Sequence, residues 1–232
     1  MKKLLILGAG AGGTMIATKM RKLLSEREWE ITIIDRDPMH HYQPGWLLVP
    51  FGVDTPQGCV RPKKDFICRG VNFVLDTITG VDPVQRKVEC KNSTHTYDWI
   101  VVASGARIAP DEVPGLLDDW GGKIHNFYTH DGAAALYGKM KNFKKGRLVL
   151  HICETPIKCP VAPLEFVYMA DWYLQKMGVR QNVEIELVTP LTGAFTKPVA
   201  NNILGALCEQ KGIKVTGSSG FSVGNPCQEL AG

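Results

Sequence analysis

The chain has 232 residues, 44% of them hydrophobic and 22% charged, with a formal net charge of +4. This is enough to bury one large core or two modest ones, and the charge is too small and too dispersed to suggest a nucleic-acid partner. The basic run 139–147 surrounds Gly146 and reads as solvated surface, no apolar run reaches the ~20 residues that span a bilayer, and seven cysteines without regular spacing read as reduced thiols of a cytoplasmic protein, with no metal site among them.

Residues 4–35 set the organisation of the chain. An apolar run (4–7) is followed by Gly8-Ala9-Gly10-Ala11-Gly12-Gly13, a segment able to form a helix over 14–24, and a second apolar run (31–34) closed by Asp35. The pattern predicts one βαβ unit. The first glycine permits a sharp turn off the strand, the second lets backbone approach a pyrophosphate, and the third lets helix pack on strand. A diphosphate would rest on the helix N-terminus, where unpaired N–H groups and the positive end of the dipole converge. Asp35 stands where a carboxylate accepts hydrogen bonds from both ribose hydroxyls and repels a 2′-phosphate. The leading Lys2-Lys3 and apolar residues do not read as a signal peptide, because cleavage would remove the glycine loop.

Residues 36–52 are rich in aromatics, and Pro38, Pro44 and Pro50 forbid a regular helix. A long irregular stretch after the ribose-binding acid is expected to run along the cofactor; the alternative is a surface loop pinned by Trp46 and Phe51. A helical turn within 62–69 should precede a strand at 71–75. Short strands at 77–81, 86–90 and 94–97 predict an antiparallel meander, and 98–106 predicts a buried strand ending in the small residues Ala103-Ser104-Gly105. Residues 110–122 read as a loop and 131–141 as a helix.

A second α/β pattern begins with a strand at 147–153, a loop at 154–163, a helix at 164–177 and a strand at 183–188. The loop Glu154-Thr155-Pro156-Ile157-Lys158-Cys159-Pro160-Val161-Ala162-Pro163 contains no glycine, so a second pyrophosphate cradle, and with it a nicotinamide donor, is disfavoured. Cys159, in a loop that opens a helix and beside Lys158, is placed for a lowered thiol pKa. Cys59, Cys68, Cys90 and Cys208 read as inert thiols.

Taken together, Gly8-x-Gly10-x-x-Gly13, Tyr42-Gln43-Pro44-Gly45 with Gly52, Ala103-Ser104-Gly105 and Thr155 to Phe166 resemble sulfide:quinone oxidoreductases and the flavoprotein subunit of sulfide dehydrogenase. The last motif is the specific one, and the resemblance runs from residue 1 to about 212. It implies an α/β fold with a Rossmann-like FAD-binding domain (1–110) carrying the meander, and an incomplete second Rossmann-like domain (111–215) carrying the redox cysteine. It also implies FAD, bound non-covalently because no cysteine occurs around Tyr42, with sulfide as substrate and quinone or another acceptor taking the electrons. Cys159 is then the redox cysteine and His130 a proton carrier. Gly8, Ala9, Gly10, Ala11, Gly12, Gly13, Asp35, Arg36, Gln43, Pro44, Ile78, Ser104 and Gly105 are the expected FAD contacts, with Gln43 and Pro44 on the flavin side and Ile78 near the adenine.

The chain departs from the family beyond residue 215. Relatives return to the first domain with a Gly-Asp segment, supply a second redox cysteine and end in amphipathic helices that dock on a membrane. The tail 216–232 has no strand or helix period, which predicts a truncated or frame-shifted chain, an irregular tail in which Cys227 is not the missing cysteine, and an exposed sheet edge. Peripheral membrane association belongs to the full-length form. The alternatives left open are an NADH dehydrogenase-like flavoprotein and a non-catalytic nucleotide-binding remnant or subunit.

Overall fold

The structure, a computed structural model, describes residues 1–218; the expectations for Cys227 and the rest of 219–232 fall outside the described residues. The chain forms two compact units, one built from Met1–Tyr42 with Cys59–Ile108, the other from Gln43–Gly58 with the chain from Ala109 onward.

In the first unit, β1 (Lys2–Leu7) leads through the glycine loop into α1 (Ala11–Leu23) and back through β2 (Trp29–Asp35). Each strand buries a largely apolar run, residues 4–7 of β1 and 31–34 of β2 with Thr32 the one polar side chain among them, as expected of strands covered on both faces. Ile6, Ile33 and Ile34 are fully buried. The short β3 (Met39–His41) pairs antiparallel with β4 (Val60–Pro62), and β5 (Asn72–Leu75) joins the parallel sheet beside β2. The expected meander is present as β6 (Ile78–Asp82), β7 (Lys87–Cys90) and β8 (Thr94–Thr96), a separate antiparallel sheet. Its turn back to the core is held by buried Asp76, which accepts from the Asn92 backbone N–H and the Ser93 hydroxyl.

The chain then returns as β9 (Trp99–Val102) on the far side of β1, giving the parallel order β5-β2-β1-β9. Strand order therefore reverses at β1, and the crevice beyond the carboxyl ends of β1 and β9 is the topological switch point where such sheets bind ligands. Register puts Leu7 opposite both Ile34 and Val102, so Gly8, Asp35 and Ala103 arrive at one level. The strand expected over 98–106 stops at Val102: Gly105 is left-handed at φ +75° and the small residues form a loop. Helix α1 starts three residues earlier than expected, so Ala11, Gly12 and Gly13 are its first turn.

The second unit has α2 (His130–Asn142), β10 (Gly146–His151), α3 (Ala162–Lys176), β11 (Val183–Val188), α4 (Pro198–Gln210) and β12 (Ile213–Thr216). Its strands are parallel in the order β10-β11-β12, the second Rossmann-like pattern the sequence predicts. Leu164, Val167, Ala170 and Leu174 recur at helical spacing on α3 and are buried, as are Ile185 and Leu187 on β11. Residues 43–58 are not a loose loop. Short 3-10 turns at Gln43–Leu47 and Val49–Phe51 bury Trp46 and Phe51, and the Phe51 ring sits 5.0 Å from Phe166, itself stacked 4.7 Å from Phe127. Burying Phe51 contributes about 2 kcal/mol. Among the described residues, no helix is long and apolar enough to cross a membrane.

Candidate functional site

In the first unit the glycine loop is shaped by contacts that a side chain would break. A Cβ on Gly8 would lie 2.4 Å from the Ala103 carbonyl oxygen, and one on Gly13 would lie 1.9 Å from the Gly8 oxygen. Those two glycines let β9 and α1 close on the loop. Gly10 differs: a Cβ there would meet nothing within 4 Å. It is the N-cap of α1, with no side chain capping the helix and no acid in the first turn. The first-turn amides of Ala11, Gly12 and Gly13 thus form an anion site with open space before it. Ser104 and Gly105 follow β9 at the same edge.

Asp35 closes this cradle, and it is more heavily engaged than the sequence suggests. Its Oδ2 accepts the Ala9 N–H at 2.7 Å, and its Oδ1 accepts the Asp37 N–H at 2.9 Å and lies 2.9 Å from Lys63 Nζ. A carboxylate has about four acceptor positions; three are used, so one remains for a ribose hydroxyl rather than two. Burial pushes the Asp35 carboxyl up, but the Asp37 N–H, Lys63 and the Ala9 N–H outweigh it and leave the group below the usual range. Lys63 is buried, also donates to the Asp37 carbonyl at 2.9 Å, and offsets the repulsion of a 2′-phosphate expected from Asp35 alone. Arg36 follows Asp35 directly. Ile78 opens β6 and packs on the cluster of Leu5, Leu7, Ile34, Val88 and Tyr97. The open approach at Gly10, the uncapped amides and the remaining acceptor position fit the ADP half of a dinucleotide.

The second unit gathers Gln43, Lys158 and Cys159. Lys158 donates to Gln43 Oε1 at 3.0 Å and to the Tyr128 carbonyl at 3.4 Å, with its ammonium 5.3 Å from the Trp46 ring centre and 5.6 Å from that of Tyr128. Burial lowers its pKa, and Cys159 acts in the opposite direction. Pro44 follows Gln43 in the same 3-10 turn. Cys159 is exposed and left-handed, at φ +57°. That conformation costs a non-glycine residue about 1 kcal/mol or more, and such outliers cluster at functional sites. Its carbonyl accepts the Ala162 N–H at 3.1 Å and the Tyr128 hydroxyl at 3.3 Å. Burial, then Cys159 and Glu165, push the Tyr128 phenol up to about 12, so it remains a donor at neutral pH.

His130 begins α2, two residues after Tyr128. Its Nδ1 lies 3.0 Å from Asp131 Oδ1 and its Nε2 3.2 Å from the Pro56 carbonyl. Both nitrogens are engaged, so carrying a proton elsewhere requires giving up a contact. The sequence offered no signal for Lys63, Tyr128 or Trp46 as site residues, since a lysine or an aromatic in isolation reads as surface or core.

Residues 2–149 match the sequence profile of the pyridine nucleotide-disulphide oxidoreductase family. The chain is 28% identical over 214 residues to a mitochondrial sulfide:quinone oxidoreductase of Dictyostelium discoideum, covering 91% of this chain and 47% of that protein. It is 35% identical over 119 residues to a type II NADH:quinone oxidoreductase of Staphylococcus aureus, covering 50% and 29%. The sulfide:quinone oxidoreductase structure from Aquifex aeolicus superposes with a TM-score of 0.78 at 19% identity, covering 94% of this chain and 51% of that one. The chain spans about half the length of the curated sulfide:quinone oxidoreductases it matches.

Proposed function

The chain belongs to the pyridine nucleotide-disulphide oxidoreductase family, and on that premise we propose that it holds FAD and serves the oxidation of sulfide with transfer of the electrons to a quinone. The ADP half of FAD rests on the α1 N-terminus over Gly10, with one ribose hydroxyl on Asp35. When bound, the flavin supplies two-electron chemistry between sulfide and acceptor.

The observation that carries the sulfide reading is the β10–α3 connection. Where a nicotinamide-binding relative needs a glycine cradle, this chain places a left-handed Cys159 beside an ammonium fixed by Gln43 and two aromatic rings. The exposed Cys159 sulfur is the group that would receive sulfide sulfur, with the two electrons released on forming the S–S bond passing to a bound flavin. Lys158 favours anionic species at Cys159, and the Tyr128 hydroxyl holds the Cys159 backbone in place. The similarity to sulfide:quinone oxidoreductases over most of the chain supports the same reading.

A second reading, an NADH-oxidising flavoprotein, draws on the 35% identity to the type II NADH:quinone oxidoreductase, which covers only half of the chain. The experiment is anaerobic reduction of the FAD-loaded protein. Bleaching by sulfide and none by NADH supports the proposal; the reverse supports the second reading, and failure to retain flavin overturns both.

A further inference from the structure

Two exposed thiols share the connection between β10 and α3. Cys153 lies just beyond the end of β10 and Cys159 just before α3, while Cys208, the other described cysteine of this unit, is buried. Neither exposed thiol is in a disulfide. Strand β10 ends at His151, two residues short of the sequence expectation, and this leaves Cys153 outside the ladder with its Sγ 3.6 Å from His151 Nδ1. A thiol within reach of an imidazole can pass its proton to the ring and react as thiolate. Burial lowers the His151 pKa, so the ring is neutral near pH 7 and available as that base. Five residues, 154–158, separate the cysteines, a loop short enough for the two sulfurs to meet at the ~2 Å of a disulfide once it folds inward.

We propose that Cys153 and Cys159 form a dithiol–disulfide couple in which His151 activates Cys153. With a low-molecular-weight disulfide RSSR as oxidant, Cys153 gives its proton to His151 and attacks one sulfur, forming a Cys153–SR bond and releasing RS⁻. The Cys159 thiolate then attacks the Cys153 sulfur, forming the Cys153–Cys159 bond and releasing the second RS⁻. The two cysteine protons end on the two RSH products. The couple stands independently of the sulfide reading and deepens it: HS⁻ attacking the Cys159 sulfur forms Cys159–S–SH and expels Cys153 as thiolate, which takes up one proton from solvent.

The test equilibrates the purified full chain with mixtures of reduced and oxidised glutathione, traps free thiols by alkylation and maps peptides after trypsin. Cleavage after Lys158 separates the two cysteines, so the expected product is a pair of peptides joined through Cys153 and Cys159 and released by reductant. Separate alkylation of both at every ratio, or pairing of either with another cysteine, overturns the proposal. His151 is assigned as a positioning base, and His151→Asn keeps a polar atom near the Nδ1 position without a base. That variant should slow Cys153 alkylation about tenfold at pH 7, leave Cys159 unchanged, and lose the deficit near pH 10, where the thiol ionises unaided. An equal deficit at both pH values contradicts the role given to His151. None of these readouts requires flavin or sulfide, so the couple can fail while the sulfide reading survives, and the reverse.

Discussion

The Ala9 N–H donates to Oδ2 of Asp35 at 2.7 Å, so the acid at the end of β2 holds the glycine loop in shape before it meets any ligand. Replacing Asp35 with alanine removes that tether and leaves the buried Lys63 without its carboxylate. We expect a loss of about 3 kcal/mol in stability together with loss of FAD retention. Adding Lys63→Met should recover most of the stability and none of the retention, as read by thermal unfolding and flavin absorbance.

The glycines of the loop should separate by function. Gly13→Ala drives a Cβ into the Gly8 carbonyl and is expected to lower the melting temperature by several degrees, since about 1 kcal/mol moves a domain of this size by roughly 4 °C or more. Gly10→Ala meets open space and has an ordinary φ of −74°; its melting temperature should match the parent, while its methyl group obstructs the pyrophosphate. Unchanged flavin affinity in Gly10→Ala would place the cofactor elsewhere.

Acid should unfold the protein through identifiable carboxyls. Burial raises Asp171, but hydrogen bonds from Lys211, Arg180 and Gln175 outweigh it and hold the group below its ordinary value; Glu186 is depressed against its burial by Thr216, Arg147 and Lys214. A carboxyl depressed in the folded state contributes stability that is complete above its unfolded pKa, near 4, and is lost as pH falls through its folded value. The unfolding midpoint should hold from about pH 7 to 5 and fall below about pH 4. Asp171→Asn should be less stable at pH 7 and lose less on acidification.

Cys159 carries a conformational cost that glycine would relieve. Cys159→Gly should raise stability by up to about 1 kcal/mol and remove all sulfide chemistry, whereas Cys159→Ser should remove the chemistry without the gain. Equal melting temperatures for the two variants would contradict the strain at φ +57°.

The parts legible in the sequence are those set by local chemistry. Gly8, Gly10 and Gly13 with Asp35 specify a strand-loop-helix-strand unit because Gly8 and Gly13 answer a steric demand of the chain and Gly10 leaves the approach to the helix open, and the short strand runs after Asp76 specify the meander. What sequence could not supply is pairing across distance. Nothing in Lys63 marks it as the buried partner of Asp35, and nothing in Tyr128 or Trp46 marks them as the walls around Lys158. Likewise, Gln43–Gly58 packs within the second unit because Phe51 meets Phe166, a contact between residues more than a hundred positions apart. The early end of β10 at His151, which exposes Cys153, depends on the sheet partner β11 as much as on local propensity.

The central claim is that Cys159 receives the sulfur of sulfide, and peptide mass analysis of the FAD-loaded protein after one anaerobic turnover with sulfide tests it most directly. The account predicts one added sulfur atom on the peptide beginning at Cys159, released by reductant and absent in Cys159→Ser, which should still bind flavin. Flavin reduction by sulfide at the parent rate in Cys159→Ser, or added sulfur found only on other cysteines, would contradict it.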